Sequence, residues 1–203
     1  MSRSHAEHLR LKTWTAAALA VAASISVCTA AASFSQSFDA VGSVSVGQHG
    51  PANLIAAGWI FRNQSQPAGS GSWSGDSFEP QAGAGCLTVS ATVAGVWNAS
   101  AAASSWAILP SIPGQTNGDI VRFYVRNAEY PCCTPNARLQ VRYAPGGGTS
   151  TGIGANDVGS FTTLLLDVPD VENRPWTEQS VTLPGNGRIA LRFYLPEAEL
   201  AKP

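Results

Sequence analysis

The sequence predicts an all-β fold, an antiparallel β-sandwich of the jelly-roll type, preceded by a signal peptide. Two observations predict the sandwich. Short segments rich in β-branched and aromatic residues recur along the chain, several of them alternating apolar and polar side chains. Clusters of Gly, Pro, Asn and Ser separate these segments, and helical periodicity is nearly absent after the first 32 residues.

Residues 1–32 have the composition of a secretory signal peptide. A basic start, "MSRSHAEHLRLK", precedes the apolar run "TWTAAALAVAASISV", and small residues precede a cleavage site after Ala32. The run is too short and too Ala-rich for a membrane span. We therefore expect a secreted or cell-surface protein whose residues 33–203 form one domain without a transmembrane segment.

The charge of the predicted domain excludes one class of partner. Residues 1–32 hold three of the 12 basic and one of the 13 acidic side chains, which leaves nine basic and 12 acidic side chains. A general nucleic-acid binder carries a basic excess, so no nucleic-acid partner is expected.

The predicted strands follow one another with turn-rich connections. They are "FSQSFD" (34–39), "LIAAGWIF" (54–61), "CLTVSAT" (86–92), "SSWAILPSI" (104–112), "DIVRFYVR" (119–126), "ARLQVRY" (137–143), "FTTLLLDV" (161–168), "WTEQSVTL" (176–183) and "RIALRFYL" (188–195). The turn at 185–187 predicts that the last two form a hairpin. The segment "FTTLLLDV" is apolar on both faces, which predicts a central strand. The Gly-rich stretch "PGGGTSTGIG" (145–154) predicts a flexible connection between sheets.

Three strands carry two arginines each, four residues apart. Because alternate side chains face opposite sides of a strand, these arginines are expected on the outer face of one sheet. They are Arg122, Arg126, Arg138, Arg142, Arg188 and Arg192. The intervening positions should face the core, namely Phe123, Leu139, Val141, Leu191 and Phe193. Two interpretations stay open: a solvated sheet face, or a binding platform for an anionic polysaccharide or matrix polymer.

The tryptophans divide into expected core residues and one candidate ligand residue. Trp59, Trp106 and Trp176 lie in or beside predicted strands and are expected inside. Trp73 lies among Gly and Ser, so we expect it to be exposed and able to stack on a sugar ring.

Catalytic motifs are weak. His49 is the one histidine of the predicted domain, and no nucleophile motif accompanies it, which excludes a hydrolytic triad. Glycoside hydrolysis needs only two carboxylates. Asp76 with Glu79, or a pair among Asp167, Asp170 and Glu172, would supply them.

The domain contains three cysteines, Cys86, Cys132 and Cys133. In an oxidising compartment we expect one disulfide, between Cys86 and either of the other two, because a ring closed by adjacent cysteines is strained. A metal site at these cysteines is not expected, since adjacent cysteines do not chelate as C-x-x-C does.

The order of segments resembles the choice-of-anchor J domain, a bacterial exported domain similar to cleaved-adhesin and MAM-like jelly rolls. The resemblance covers about residues 34–195, and its most specific pieces are "RLQVR", "FTTLLLD" and "GRIALRF". It implies an extracellular, non-catalytic adhesion module without a cofactor. Related jelly rolls hold a structural calcium between the first and last strands, and Asp39 matches the first-strand acid.

The sequence departs from the family at its end. After residue 195 there is no closing strand, apolar tail or sorting motif, so we expect the domain to lack its final strand and anchor. The segment "FSQSFD" should then have an unpaired edge, which predicts a monomer or association through that edge.

These observations lead to one main hypothesis and two alternatives. The main hypothesis is an exported, surface-associated, non-catalytic adhesion module that binds a glycan or matrix polymer. A secreted carbohydrate-active enzyme with a carboxylate pair and a structural surface protein without a ligand are the alternatives.

Overall fold

The computed structural model describes residues 34–44, 49–96, 100–127, 137–171 and 175–197, and within these ranges the fold is all-β. The predicted fold class is confirmed. The elements are a short helix α1 (Ala52–Ala56), strands β1 (Ile60–Asn63), β2 (Ser74–Asp76) and β3 (Cys86–Thr88), a 3-10 turn (Ala91–Val93), and strands β4 (Ala103–Ile108), β5 (Asn117–Val125), β6 (Leu139–Pro145), β7 (Thr163–Val168), β8 (Thr177–Pro184) and β9 (Gly187–Leu195). No helix in these ranges is long and apolar enough to cross a membrane.

Two layers form the sandwich. The larger sheet has the order β1-β4-β9-β6-β7, and β5 pairs with β8 in a separate two-stranded sheet. All of these pairs are antiparallel. The hairpin-like pair β2–β3 forms a third, small sheet.

The main core lies between the two layers. Val121, Phe123 and Val125 of β5 alternate toward it, and Val141 and Phe193 of the larger sheet pack from the other side. All five residues predicted to face the core contact it, which confirms the alternation predicted for these strands.

A second apolar cluster lies on the outer face of the larger sheet. It contains Trp106, Ile108, Ala144 and Ala190, and Phe161 packs on Trp106 with their ring centroids 5.4 Å apart. Phe161 belongs to residues 146–162, which fold back across this face and which we call the covering loop. Apart from Pro145, the Gly-rich stretch lies within this loop, which connects β6 to β7 of the same sheet, so its prediction as a connection between sheets is wrong.

Two predictions about strand pairing are wrong. β8 and β9 do not pair, because the turn at 185–187 crosses from the two-stranded sheet to the larger sheet. β7 is an edge strand of the larger sheet rather than a central one. Its three consecutive leucines have a different cause: a bulge opposite Val141 and Arg142 lets Leu165 and Leu166 both pack on the main core.

Two segments predicted as strands adopt other structures. Residues 52–56 form α1, which begins after Pro51 and buries Leu54. The segment 34–39 forms no strand, and its carbonyl at Phe38 accepts the amide of Val41 in a turn. It therefore does not present the strand edge that the sequence predicted.

Candidate functional site

The six strand arginines do not share one surface. β6 and β9 are neighbours in the larger sheet, whereas β5 lies across the main core in the two-stranded sheet. Arg122 and Arg126 therefore face away from the other four. The predicted six-arginine platform is wrong because β5 pairs with β8 in the two-stranded sheet instead of joining β6 and β9.

Arg192 is buried, with 1% of its surface exposed. Its Nε donates to Ser104 Oγ at 3.0 Å, and its Nη2 donates to the backbone carbonyl of Ala155 and, at 3.5 Å, to that of Asp157. Burial lowers the pKa of Arg192 to about 10, and repulsion from Arg142 adds to this lowering. Because this pKa is still well above 7, the side chain is charged at neutral pH. Arg192 thus fastens the covering loop to the sheet.

Arg138 and Arg142 also have partners within the protein. Arg138 forms a two-point ion pair with Asp167, at 2.9 Å from Nε and 2.6 Å from Nη2. Arg142 donates through Nε to Gln140 Oε1 at 2.9 Å and through Nη1 to the carbonyl of Phe161 at 3.3 Å.

Arg188 is hydrogen-bonded to the backbone, whereas Arg122 is exposed. Arg188 donates to the carbonyl of Leu109 at 3.0 Å. The Arg122 side chain is 64% exposed and lies 3.9 Å from Glu178. A surface pair of this length contributes little stability.

Trp73 is a core residue, 5% exposed, and not the exposed ligand platform that the sequence predicted. Its Nε1 has no hydrogen-bond partner in the described ranges. Trp59 and Trp106 are buried as predicted. Trp176 is only half-buried, and its ring lies against the guanidinium group of Arg126.

A fixed aromatic cluster surrounds Arg126. Its guanidinium carbon lies 5.0 Å from the ring centre of Trp176 and 5.8 Å from that of Phe78. Its Nη1 donates to Glu79 Oε2 at 2.8 Å, its Nη2 donates to the Phe78 carbonyl at 3.0 Å, and the Trp176 indole donates to the Glu79 carbonyl at 3.0 Å. Phe78 is nevertheless 52% exposed.

The backbone of this short loop is strained at Glu79. Its φ of 45° lies in the left-handed region that a side chain disfavours, and the three hydrogen bonds around Arg126 hold it there. The sequence pattern indicated only the carboxylates of "SGDSFEP". That pattern did not single out Phe78, the exposed aromatic residue between these carboxylates.

A polar cleft of about 370 Å³ adjoins this loop. Its lining includes Asp39 and Ser43 from the first described segment and Asp76 and Ser77 from the β2 region. Phe78 follows directly and donates its backbone amide to Asp76 Oδ1 at 2.9 Å. The cleft is thus lined by two carboxylates and two hydroxyls, and the exposed Phe78 directly follows its lining residue Ser77 in the chain.

Asp39 accepts a backbone hydrogen bond, and few described side chains could bind a metal together with it. Its Oδ1 accepts the amide of Ala84 at 2.7 Å, and this hydrogen bond is the main cause that lowers its pKa. In the described part of the chain, no three His, Cys, Asp or Glu side chains come together as metal ligands. The described carboxylates of the cleft therefore do not fit a calcium cage rich in acidic ligands.

Each of the two candidate carboxylate sets has one member in an ion pair with an arginine. Glu79 is paired with Arg126, whereas Asp167 is paired with Arg138 in the larger sheet. Hydrogen bonds from Arg138 are the main cause that lowers the pKa of Asp167. Asp170 is exposed, and Glu172 lies outside the described residues.

Asp157 organises the tip of the covering loop. Its carboxylate accepts the amides of Ile153, Val158 and Gly159 at 2.9, 2.7 and 3.0 Å. Gly152 and Gly154 both have positive φ, and a side chain on Gly152 would overlap Asp157. The tip therefore has one well-defined conformation.

We expect Asp157→Asn to lower stability at neutral pH and to make the protein less sensitive to acid. The three amide hydrogen bonds lower the Asp157 pKa, the bond from Gly159 most, so the ionised form stabilises the fold above the unfolded pKa. That stabilisation is lost as the pH falls through the folded pKa. Melting temperatures of parent and variant should therefore converge between about pH 7 and about pH 2. Asp170→Asn is the control, and a gap that stays constant with pH would contradict the expectation.

Cys86 is half-buried at the start of β3, and it forms no disulfide within the described residues. Burial is the main cause that raises its thiol pKa, and the carboxylate of Asp76 adds to it. Cys132 and Cys133 lie outside the described residues, so the disulfide stays a prediction.

Comparison with known proteins finds similar solved structures at low identity. The K1 cleaved adhesin domain of Lys-gingipain from Porphyromonas gingivalis W83 is 18% identical, with a TM-score of 0.45, over 78% of this chain and 86% of that chain. The K3 cleaved adhesin domain of the same protein is 19% identical, with a TM-score of 0.47, over 71% and 87%. No family model and no curated protein matches the chain. Likeness at this level assigns neither a family nor a ligand.

Proposed function

We propose that this protein is a non-catalytic binding module of the adhesion type, exported to the cell surface or the surrounding matrix, which binds a glycan in the cleft beside Phe78. The observation that carries the proposal is the exposed Phe78 ring, whose centre lies 5.8 Å from the Arg126 guanidinium carbon; Phe78 directly follows the cleft residues Asp76 and Ser77 in the chain. We also propose that the protein belongs with choice-of-anchor J domains, as its segments suggest.

The ring supplies the apolar half of sugar recognition. Sugar rings have a face of C–H groups that stacks on aromatic side chains. Phe78 is 52% exposed, and its backbone is held by Asp76 on one side and Arg126 on the other. Because the backbone at Phe78 is already held, it loses little conformational freedom on binding.

The cleft supplies the polar half. Asp39 and Asp76 offer acceptors for sugar hydroxyls, and Ser43 and Ser77 offer both donors and acceptors. Because the Asp39 pKa is lowered, its carboxylate is ionised at neutral pH and accepts hydrogen bonds only. This combination favours a neutral, hydroxyl-rich ligand over an anionic one.

The enzyme alternative has one favourable observation, since Asp39 and Asp76 line the same cleft. A glycosidase needs a general acid with a raised pKa. Asp39 has the opposite shift, caused first by the Ala84 amide. We therefore favour binding without hydrolysis, and we propose that no cofactor is required.

We expect Phe78→Ala to weaken glycan binding about tenfold, which corresponds to about 1.4 kcal/mol of stacking and apolar contact. A glycan array, with and without calcium, would select the ligand, and calorimetry would then compare the variants. Ile153→Ala is the matched control, because it also truncates an exposed apolar side chain but lies in the covering loop.

Two results would contradict the proposal. Equal losses for both variants would place the binding site elsewhere. Hydrolysis of the selected glycan by the parent protein, abolished by Asp39→Asn or Asp76→Asn, would establish the enzyme instead.

A further inference from the structure

The outer face of the larger sheet holds an excess of positive charge. Arg138, Arg142 and Arg192 lie close enough for Arg138 and Arg142 both to lower the pKa of Arg192. Arg138 forms an ion pair with Asp167, whereas Arg142 and Arg192 donate hydrogen bonds to neutral oxygens. Two of the three positive charges therefore have neutral hydrogen-bond acceptors.

Gln140 accepts hydrogen bonds from two of these guanidinium groups. Its Oε1 accepts from Arg142 Nε at 2.9 Å and from Arg192 Nη1 at 3.1 Å. Gln140 is buried, so two guanidinium groups share one neutral oxygen in a region of reduced solvent access. Like charges held this close favour the binding of an additional anion.

Of these three arginines, Arg142 is the one with both solvent access and guanidinium N–H groups available for an external ligand. Arg192 is sealed beneath the covering loop, and Arg138 already uses two nitrogens on Asp167. Arg142 is half-buried, and it donates hydrogen bonds to two neutral oxygens, those of Gln140 and Phe161.

The neighbourhood of Arg142 is reachable from solvent. Leu164, its partner residue on the edge strand β7, is 44% exposed. The bulge opposite Arg142 interrupts the strand pairing at this point, a feature that is common beside binding sites.

We propose that Arg142 binds the carboxylate group of an acidic ligand on the outer face of the larger sheet, with Arg138 and Arg192 providing the surrounding positive charge. A guanidinium edge matches the two oxygens of a carboxylate, and the charge-assisted hydrogen bonds are stronger than those to neutral acceptors. This site is separate from the glycan cleft, and it does not depend on the function proposed for that cleft.

The test uses the carboxylated sugar glucuronate as the probe and glucose as its neutral counterpart. Arginine Nε–Hε signals in an NMR titration report binding at the side chain itself. We expect glucuronate to shift the Arg142 signal with a dissociation constant on the order of 1 mM, and glucose to leave it unchanged. Added salt should weaken the binding.

Variants distinguish this site from general charge attraction. Arg142→Gln should weaken glucuronate binding at least about tenfold, whereas Arg122→Gln, which removes the same charge from an exposed position, should leave it unchanged. Arg142→Lys, which keeps the charge but not the planar edge, should bind more weakly than the parent and guards against a fold defect in the first variant. Equal effects of Arg142→Gln and Arg122→Gln, or equal binding of glucose and glucuronate, would overturn the proposal.

Discussion

Replacing Arg192 with alanine is expected to lower the free energy of unfolding by about 3 kcal/mol and to detach the covering loop from the larger sheet. The change removes the donors to Ser104, Gln140 and the carbonyls of Ala155 and Asp157. It also removes the guanidinium group that lies 4.7 Å from the ring centre of Trp106.

Two opposing contributions set this magnitude. Buried acceptors that lose a charged donor cost about 1–3 kcal/mol each. The buried charge is itself unfavourable, as its lowered pKa shows, so its removal offsets part of the loss. The free energy lost with several hydrogen bonds exceeds the free energy recovered by removing one buried charge. We therefore expect a net destabilisation.

Urea unfolding gives the change in free energy, and tryptophan fluorescence reports whether Trp106 becomes hydrated. Arg122→Ala is the control, since its side chain is 64% exposed and its expected change is within about 0.5 kcal/mol. If both variants unfold alike, Arg192 does not fasten the loop.

Phe161→Ala is expected to cost about 3–4 kcal/mol, because it empties the space above Trp106. Phe161 is fully buried, and its ring packs on Trp106 within the second apolar cluster. Val158 of the covering loop also packs on this cluster, and its other members lie in hydrogen-bonded strands of the larger sheet, so collapse around the cavity should be limited.

Phe161→Leu, which retains most of the volume, should cost less than half as much. The double variant Arg192→Ala with Phe161→Ala should cost less than the sum of the single changes, because either one already releases the same loop. Strict additivity would show that the two residues act on independent parts of the structure.

Local alternation in the sequence predicted much of the fold. In β6 and β9, Val141 and Phe193 face the main core because side chains alternate along a strand, whatever the strand pairs with. Pairing itself depends on distant contacts, and this explains the wrong hairpin and the wrong position of β7. The same limit applies to the site: spacing identified Arg126 and Arg192, but only the tertiary structure shows that one holds Phe78 and the other holds the covering loop.

The crossing turn at 185–187 has a mechanical consequence. It leads the chain directly into β9, the middle strand of the larger sheet, which is hydrogen-bonded to β4 on one side and β6 on the other. Tension applied to the chain beyond Leu195 would therefore reach a strand held by two ladders of hydrogen bonds. Extracting β9 requires both ladders to shear, whereas a terminal hairpin would unzip one pair at a time. Such an arrangement suits a domain that must keep its shape while its chain is pulled.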